Sequence, residues 1–302
     1  MEALQFTADE LAAQALAGGG PRGGGAMVDS MSEAHRQFFA QLRYVLVGAD
    51  DAGGWPLATL LSGAPGFVAS PDSTTLRISA EPGAGDPAAP ALVAGSDIGI
   101  LGIDLATRRR NRANGRIISH DARGVEVAVN QSFGNCPQYI QRRTVDAQIA
   151  LREAQAATVE TMIHLDREAL GSIERADTCF VASRSLHGAD ISHRGGRPGF
   201  IRVDGDSLTI PDFRGNRYFN TLGNLMAEPR ASLLIVDFES GDLLQLQGLA
   251  SVDWADAAER FAGAERLWRF QVARAWRRRA ASPLLWSFVD YSRVTEATGV
   301  WR

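Results

Sequence analysis

The chain has 302 residues, 45% of them hydrophobic and 22% charged, enough for two globular domains. Its net charge of −4, with 31 arginines, 35 acids and no lysine, argues against broad affinity for nucleic acid or an anionic membrane, so each arginine-rich spot reads as a local site. No apolar run approaches the roughly 20 residues of a membrane span, the acidic start MEALQFTADE lacks the character of a secretion signal, and the two isolated cysteines, Cys136 and Cys179, fit a reducing compartment, with the cytoplasm as default.

Residues 1–30 are read as a short Ala-rich helix followed by GGGPRGGG at 18–25, a composition that predicts a flexible extension. Ser32 is positioned to cap a helix over 32–43, in which Phe38, Phe39 and Leu42 gather on one side. Short strands are predicted at 44–47, 55–61, 67–69, 76–79, 98–105, 115–119 and 125–129, broken by Gly, Pro and Asp. Strands this short and closely spaced predict an antiparallel barrel rather than parallel units with crossover helices. The segment QSFGNCPQYIQRR at 131–143 carries a Gly-Asn-Cys-Pro turn and predicts a helix starting near Pro137. From 144 to 173 the chain becomes Ala-rich and charged without an internal Pro, which predicts one or two connecting helices. Strands restart at 178–182 and end near Trp254. A helix at 255–264, a strand at 266–272 and an extended segment at 282–294 complete the chain. The domains expected are a flexible extension (1–30), a first barrel (31–145), a helical connector (146–173) and a second barrel with a C-terminal extension (174–302).

The two strand series are copies of one unit. PGFV at 65–68 matches PGFI at 198–201, and ILGIDL at 100–105 matches LLIVDF at 233–238. Pro65 and Pro198, Asp104 and Asp237, and Gly115 and Gly248 all lie 133 positions apart. The copies differ in one loop: RGNRYFN at 214–220 stands where the first copy has EPGAGDP at 81–87. Arg214 and Arg217 flank a Gly-Asn turn just before a predicted helix carrying NTLGNLMAEPR. A helix start offers free amide donors, and two guanidinium forks add charge and bidentate geometry, a combination suited to a phosphate monoester. Taken alone, the loop fits a solvated turn with two surface arginines equally well. Upstream, Ser192, His193 and Arg194 precede Gly195 and Gly196, a glycine pair that lets backbone approach a flat or anionic ligand. His193 reads as a ligand contact or an exposed turn residue rather than an acid–base catalyst.

The ordered string of Asp190, Ser192, Arg194 to Gly196 and Pro198 to Phe200, then Pro211-Asp212, Gly215 to Arg217, Asn224 and Pro229-Arg230, resembles the flavin-binding split barrels related to pyridoxamine 5′-phosphate oxidase. The resemblance covers the second copy well and, through the duplication, most of residues 32–254. It implies a mainly β fold of two tandem antiparallel split β-barrels, packed as the two subunits of a homodimeric relative would pack. It implies FMN as cofactor, with Arg214, Asn216 and Arg217 at the phosphate and Ser192, His193, Arg194, Gly195 and Gly196 at the ring or ribityl chain. It also implies that 131–139, including Gln131 and Ser132, faces the flavin from the first barrel. One FMN per chain is expected, because the loop at 81–87 has no base and two acids, Glu81 and Asp86. The oxidase's own substrate-phosphate motifs are missing, so the expected function is flavin-dependent redox chemistry on an unidentified small molecule with an unidentified electron donor. A non-catalytic flavin-binding or sensing module, or a haem- or deazaflavin-binding barrel, stands as the alternative, and a homodimer is open.

Three features stay double-valued. TRRRNRANG at 107–115 reads as a solvated hairpin or as a second anion-recognition element reaching across the domain interface. Cys136 reads as a buried inert thiol before a nucleophile. Trp268, Trp276 and Trp286 read as packing residues before a stacking platform.

Overall fold

The computed structural model describes residues 1–22, 25–134, 136–146 and 158–301. Helices α1 (Ala8–Leu16) and α2 (Glu33–Gln41) precede seven strands: β1 (Tyr44–Asp50), β2 (Pro56–Ser62), β3 (Val68–Ala69), β4 (Thr75–Ile78), β5 (Asp97–Asp104), β6 (Arg109–Asp121) and β7 (Gly124–Gly134). Two short strands, β8 (Arg142–Val145) and β9 (Val159–Met162), and helix α3 (Arg167–Arg175) lead to the second copy. That copy contains β10 (Thr178–Ser185), β11 (Gly188–Gly195), β12 (Arg202–Asp204), β13 (Ser207–Phe213), α4 (Asn220–Ala227), β14 (Arg230–Val236), β15 (Leu243–Asp253) and β16 (Ala264–Arg278). Strand β17 (Trp286–Asp290) and the short α5 (Arg293–Glu296) close the chain.

The sheets repeat one topology. Strand order is β2-β1-β5-β6-β7-β4-β3 in the first and β11-β10-β14-β15-β16-β13-β12 in the second, with antiparallel pairing throughout. Even the irregularities correspond. The β6–β7 ladder shifts register between Asn114 and Gly115, and the β15–β16 ladder shifts between Gln247 and Gly248. At both bulges a side chain is impossible without rearrangement: a Cβ on Gly115 would collide with the Ala128 carbonyl oxygen, and one on Gly248 with that of Gln271. Past the bulge, Gly115 pairs with Val129 and Gly248 with Val272, a separation of 143 instead of 133, because the β15–β16 connection is longer than the β6–β7 one.

Each barrel has its own core, built on Leu76, Ile98 and Val127 in the first and on Leu233, Trp268 and Phe270 in the second. A third apolar cluster is shared. Leu46, Leu60, Leu101 and Ile103 of the first barrel pack with Phe180, Ile191, Leu234 and Val236 of the second. The Ala58 amide also donates to Ser232 Oγ at 3.3 Å across this seam. Two tandem split barrels packed as a pseudo-dimer are therefore the architecture of the chain.

Three expectations are corrected, and a fourth lies partly outside the described residues. Residues 1–30 do not form a free extension among the described residues. Thr7 makes a capping box with Glu10 at the start of α1, and Glu10, Ala13 and Gln14 are buried, with Gln14 donating to the Tyr218 carbonyl at 3.4 Å. Of the connector at 146–173, read as one or two helices, residues 147–157 lie outside the described residues, and the remainder pairs β9 with β16 before the helix α3, which Asp166 caps. Residues 255–263 form turns and bends, because the Asp253 and Asp256 carboxylates accept the Ala255 and Ala258 amides and hold the chain out of the helix expected at 255–264. No helix begins near Pro137. The segment turns at Tyr139, whose φ is 61°.

Candidate functional site

The site lies where both barrels meet at the start of α4. Residues 214–219 run from β13 into that helix with Arg217 and Phe219 in the left-handed region, at φ 61° and 62°. Phe219 occupies the N-cap without a side-chain capping bond, and Asn220, Thr221 and Leu222 of the first turn line a cleft. An uncapped helix start leaves amide donors and the positive dipole end available to a ligand. β11 supplies Ser192 to Gly195, β13 supplies Pro211 to Phe213, and β16 adds Glu265 and Arg266. The opposite wall belongs to the first barrel: Arg110 and Arg112 from β6, and Cys136, Gln138 and Tyr139 from the turn after β7. The Tyr139 ring stacks on Phe213 with centroids 4.9 Å apart and planes 21° apart, joining the two walls.

Positive charge predominates. Arg112 donates to Asp190 at 3.0 Å, Arg266 pairs with Asp212 at 2.5 Å, Arg194 shares that same carboxylate, and Arg217 reaches Glu265 at only 3.4 Å. Arg110 has no carboxylate partner among the described residues. Five guanidinium groups thus face three carboxylates. The Nε groups of Arg110, Arg112, Arg194 and Arg217 are buried without a partner.

His193 is specified by its neighbours. Arg110 Nη1 lies 3.0 Å from His193 Nδ1. A guanidinium carries donors only, so Nδ1 must accept and the ring proton sits on Nε2. Burial first, then the charges of Arg110 and Arg194, hold the imidazole pKa well below its ordinary value, and the ring is neutral at physiological pH. His193 Nε2–H is itself a buried donor without a partner. Burial, followed by Arg112, likewise pulls Arg110 down to about 9, which leaves it charged at neutral pH.

The structure gathers most of the residues singled out in the sequence, but not all. Ser192, His193, Arg194, Gly195, Asn216 and Arg217 line the cleft, and Ser192 Oγ accepts from Thr221 at 2.8 Å. Gly196 lies behind it against Phe200. Arg214 points instead into an adjoining outer chamber. Gln131 accepts from Asn114 at 2.8 Å in a separate recess beneath the N-terminal segment, and Ser132 is within 3.0 Å of His35 Nδ1. The arginine-rich run divides: Arg110 and Arg112 enter the cleft, whereas Arg108 donates to the Ile140 carbonyl and Arg109 lies 5.0 Å over the Phe38 ring. Sequence reasoning missed Glu265 and Arg266. Their only signal was the Arg-aromatic alternation of β16, which begins two residues earlier than the strand expected there.

The matching position in the first barrel is filled by protein. Asp86 is buried and receives Arg278 at 2.7 Å, Gln245 at 3.0 Å and the Thr59 hydroxyl. A single 3-10 turn at Ala89–Ala91 stands where α4 stands in the second copy. A buried carboxylate of the chain therefore occupies that position.

No protein-family model matches the chain, and no curated protein does. Solved structures similar to it are flavin-binding, haem-storing and pyridoxine-phosphate-oxidase-family split barrels, each aligned with about two-fifths of this chain and nearly all of its own length. One is a FAD-binding protein from Mesorhizobium loti (10% identity, 41% of this chain, 98% of that one, TM-score 0.30). Another is HutZ, the heme storage protein from Vibrio cholerae (15% identity, 38% and 94%, TM-score 0.30). A third is a pyridoxinephosphate oxidase-family protein from Clostridium acetobutylicum (14% identity, 40% and 92%, TM-score 0.29).

Proposed function

We propose that the chain binds one FMN in this cleft and supports flavin-dependent redox chemistry on a small molecule. The observation that carries the reading is the surplus of guanidinium groups over carboxylates around an uncapped helix start, lined jointly by both barrels. Arg217, with Arg266 behind it and the first turn of α4 alongside, would hold the phosphate. Ser192 to Gly195 and the first-barrel wall of Arg110, Gln138 and Tyr139 would hold the remainder and keep water out. When bound, the flavin supplies the hydride and electron transfer, and the protein supplies placement and electrostatics. The flavin's own hydride and electron chemistry demands no side chain of the cleft as a general acid or base.

The donor set disfavours haem held by His193. A histidine that ligates iron through Nε2 normally donates its Nδ1–H to a carbonyl or carboxylate. Here Nδ1 faces a guanidinium, and the proton occupies the nitrogen that would have to coordinate. The absorption spectrum of freshly purified protein tests the proposal. Paired flavin bands in the blue and near-ultraviolet are expected, and a Soret band, or the single violet band of a deazaflavin, would overturn it.

A further inference from the structure

Beside the cofactor cleft lies an outer chamber of about 680 Å³, lined by Arg22, Arg214, Gln138, Tyr139, Asn216 and Cys136 among others, with no carboxylate on its walls among the described residues. Gln138, Tyr139, Cys136 and Asn216 also line the cleft, so the two spaces share a wall. Arg22 is brought here by the docked N-terminal segment: its amide donates to the Asn216 carbonyl at 3.2 Å, which seats it directly on the loop that carries Arg214. Both side chains are exposed and neither has an ion-pair partner among the described residues. The cleft's own arginines are each tied to a carboxylate or, for Arg110, to His193. No side-chain hydrogen bond or ion pair holds the outer pair among the described residues. Tyr139 and Val294 add apolar surface to the same chamber.

We infer that this chamber is the substrate site, and that its substrate class is a small organic anion, a carboxylate or phosphate on an apolar or aromatic body, held between Arg22 and Arg214. The inference rests on the proposed flavin reading for its redox meaning, but the anion site itself stands without it. Two guanidinium groups lining one chamber from separate segments suit an oxyanion, and the shared wall would place the bound molecule next to the cofactor. Arg214 then belongs to substrate and Arg217 to cofactor, although the two lie three residues apart.

The test is calorimetric titration of the full chain, as purified and after flavin removal, with benzoate, phenyl phosphate and the neutral benzamide. Benzoate or phenyl phosphate should bind at least tenfold more tightly than benzamide, and the stronger of the two identifies the acid group. The double variant Arg22→Gln, Arg214→Gln should lose at least tenfold of that affinity while retaining its flavin content. Equal binding of benzamide, no binding of either anion, or unchanged anion affinity in the double variant overturns the site. Release of FAD rather than FMN from the purified protein also overturns it, because a second phosphate and an adenosine would claim the chamber. A chain that takes up no flavin yet binds the anions through Arg22 and Arg214 refutes the cofactor reading alone.

Discussion

Arg217 is the residue on which the cofactor reading bears hardest. It is buried beside an uncapped helix start, its nearest carboxylate is at the edge of hydrogen-bond range, and its Nε has no partner. Removing a charge-assisted phosphate contact costs about 1.5–3 kcal/mol, or roughly one to two decades of affinity. Arg217→Ala should therefore weaken FMN binding by that factor, measured as quenching of flavin fluorescence, while far-ultraviolet circular dichroism stays unchanged. An unaltered dissociation constant would remove Arg217 from the phosphate site. The pairing of Arg110 with His193 shows what single residues conceal in sequence. His193 was legible as a member of a motif, but its tautomer is set by a guanidinium 83 positions away on the other barrel.

At the scale of elements, the duplication was legible because three landmarks kept one spacing, and the strands between them fall where alternation and turn residues put them. The last strand pair was obscured by the longer connection between β15 and β16, which moves β16 out of the common offset and hid Glu265 and Arg266 with it. Composition misled in two places where local hydrogen bonds decided otherwise. The glycine-rich run at 18–25 looked like a linker, yet the capped α1 ahead of it has a buried face that docks on α4. The Ala-rich stretch at 255–264 looked helical, yet two aspartates turn it. The paired bulges give this scale its prediction. Gly115→Ala and Gly248→Ala each force a Cβ into a backbone carbonyl, so each should lower stability by about 1–3 kcal/mol in urea unfolding, as overpacking does. Wild-type stability in either variant would mean that the bulge relaxes freely and that the shared glycine is not a constraint of the fold.

For the whole molecule, fusing two copies has separated two positions that identical subunits would keep equal. The second copy keeps the open, arginine-lined helix start, with its outer wall supplied by the first. The first copy has lost α4 and sealed its own position with Asp86 and Arg278. A phosphate there would meet a buried carboxylate already holding the available guanidinium. Unit charges about 4 Å apart interact by about 4 kcal/mol at an effective dielectric of 20, enough to exclude the second ligand. The most direct measurement is the amount of flavin released by heat from the reconstituted chain, set against protein quantified by amino-acid analysis. The account predicts one FMN per chain. A ratio near two, or no flavin bound after reconstitution, would contradict it.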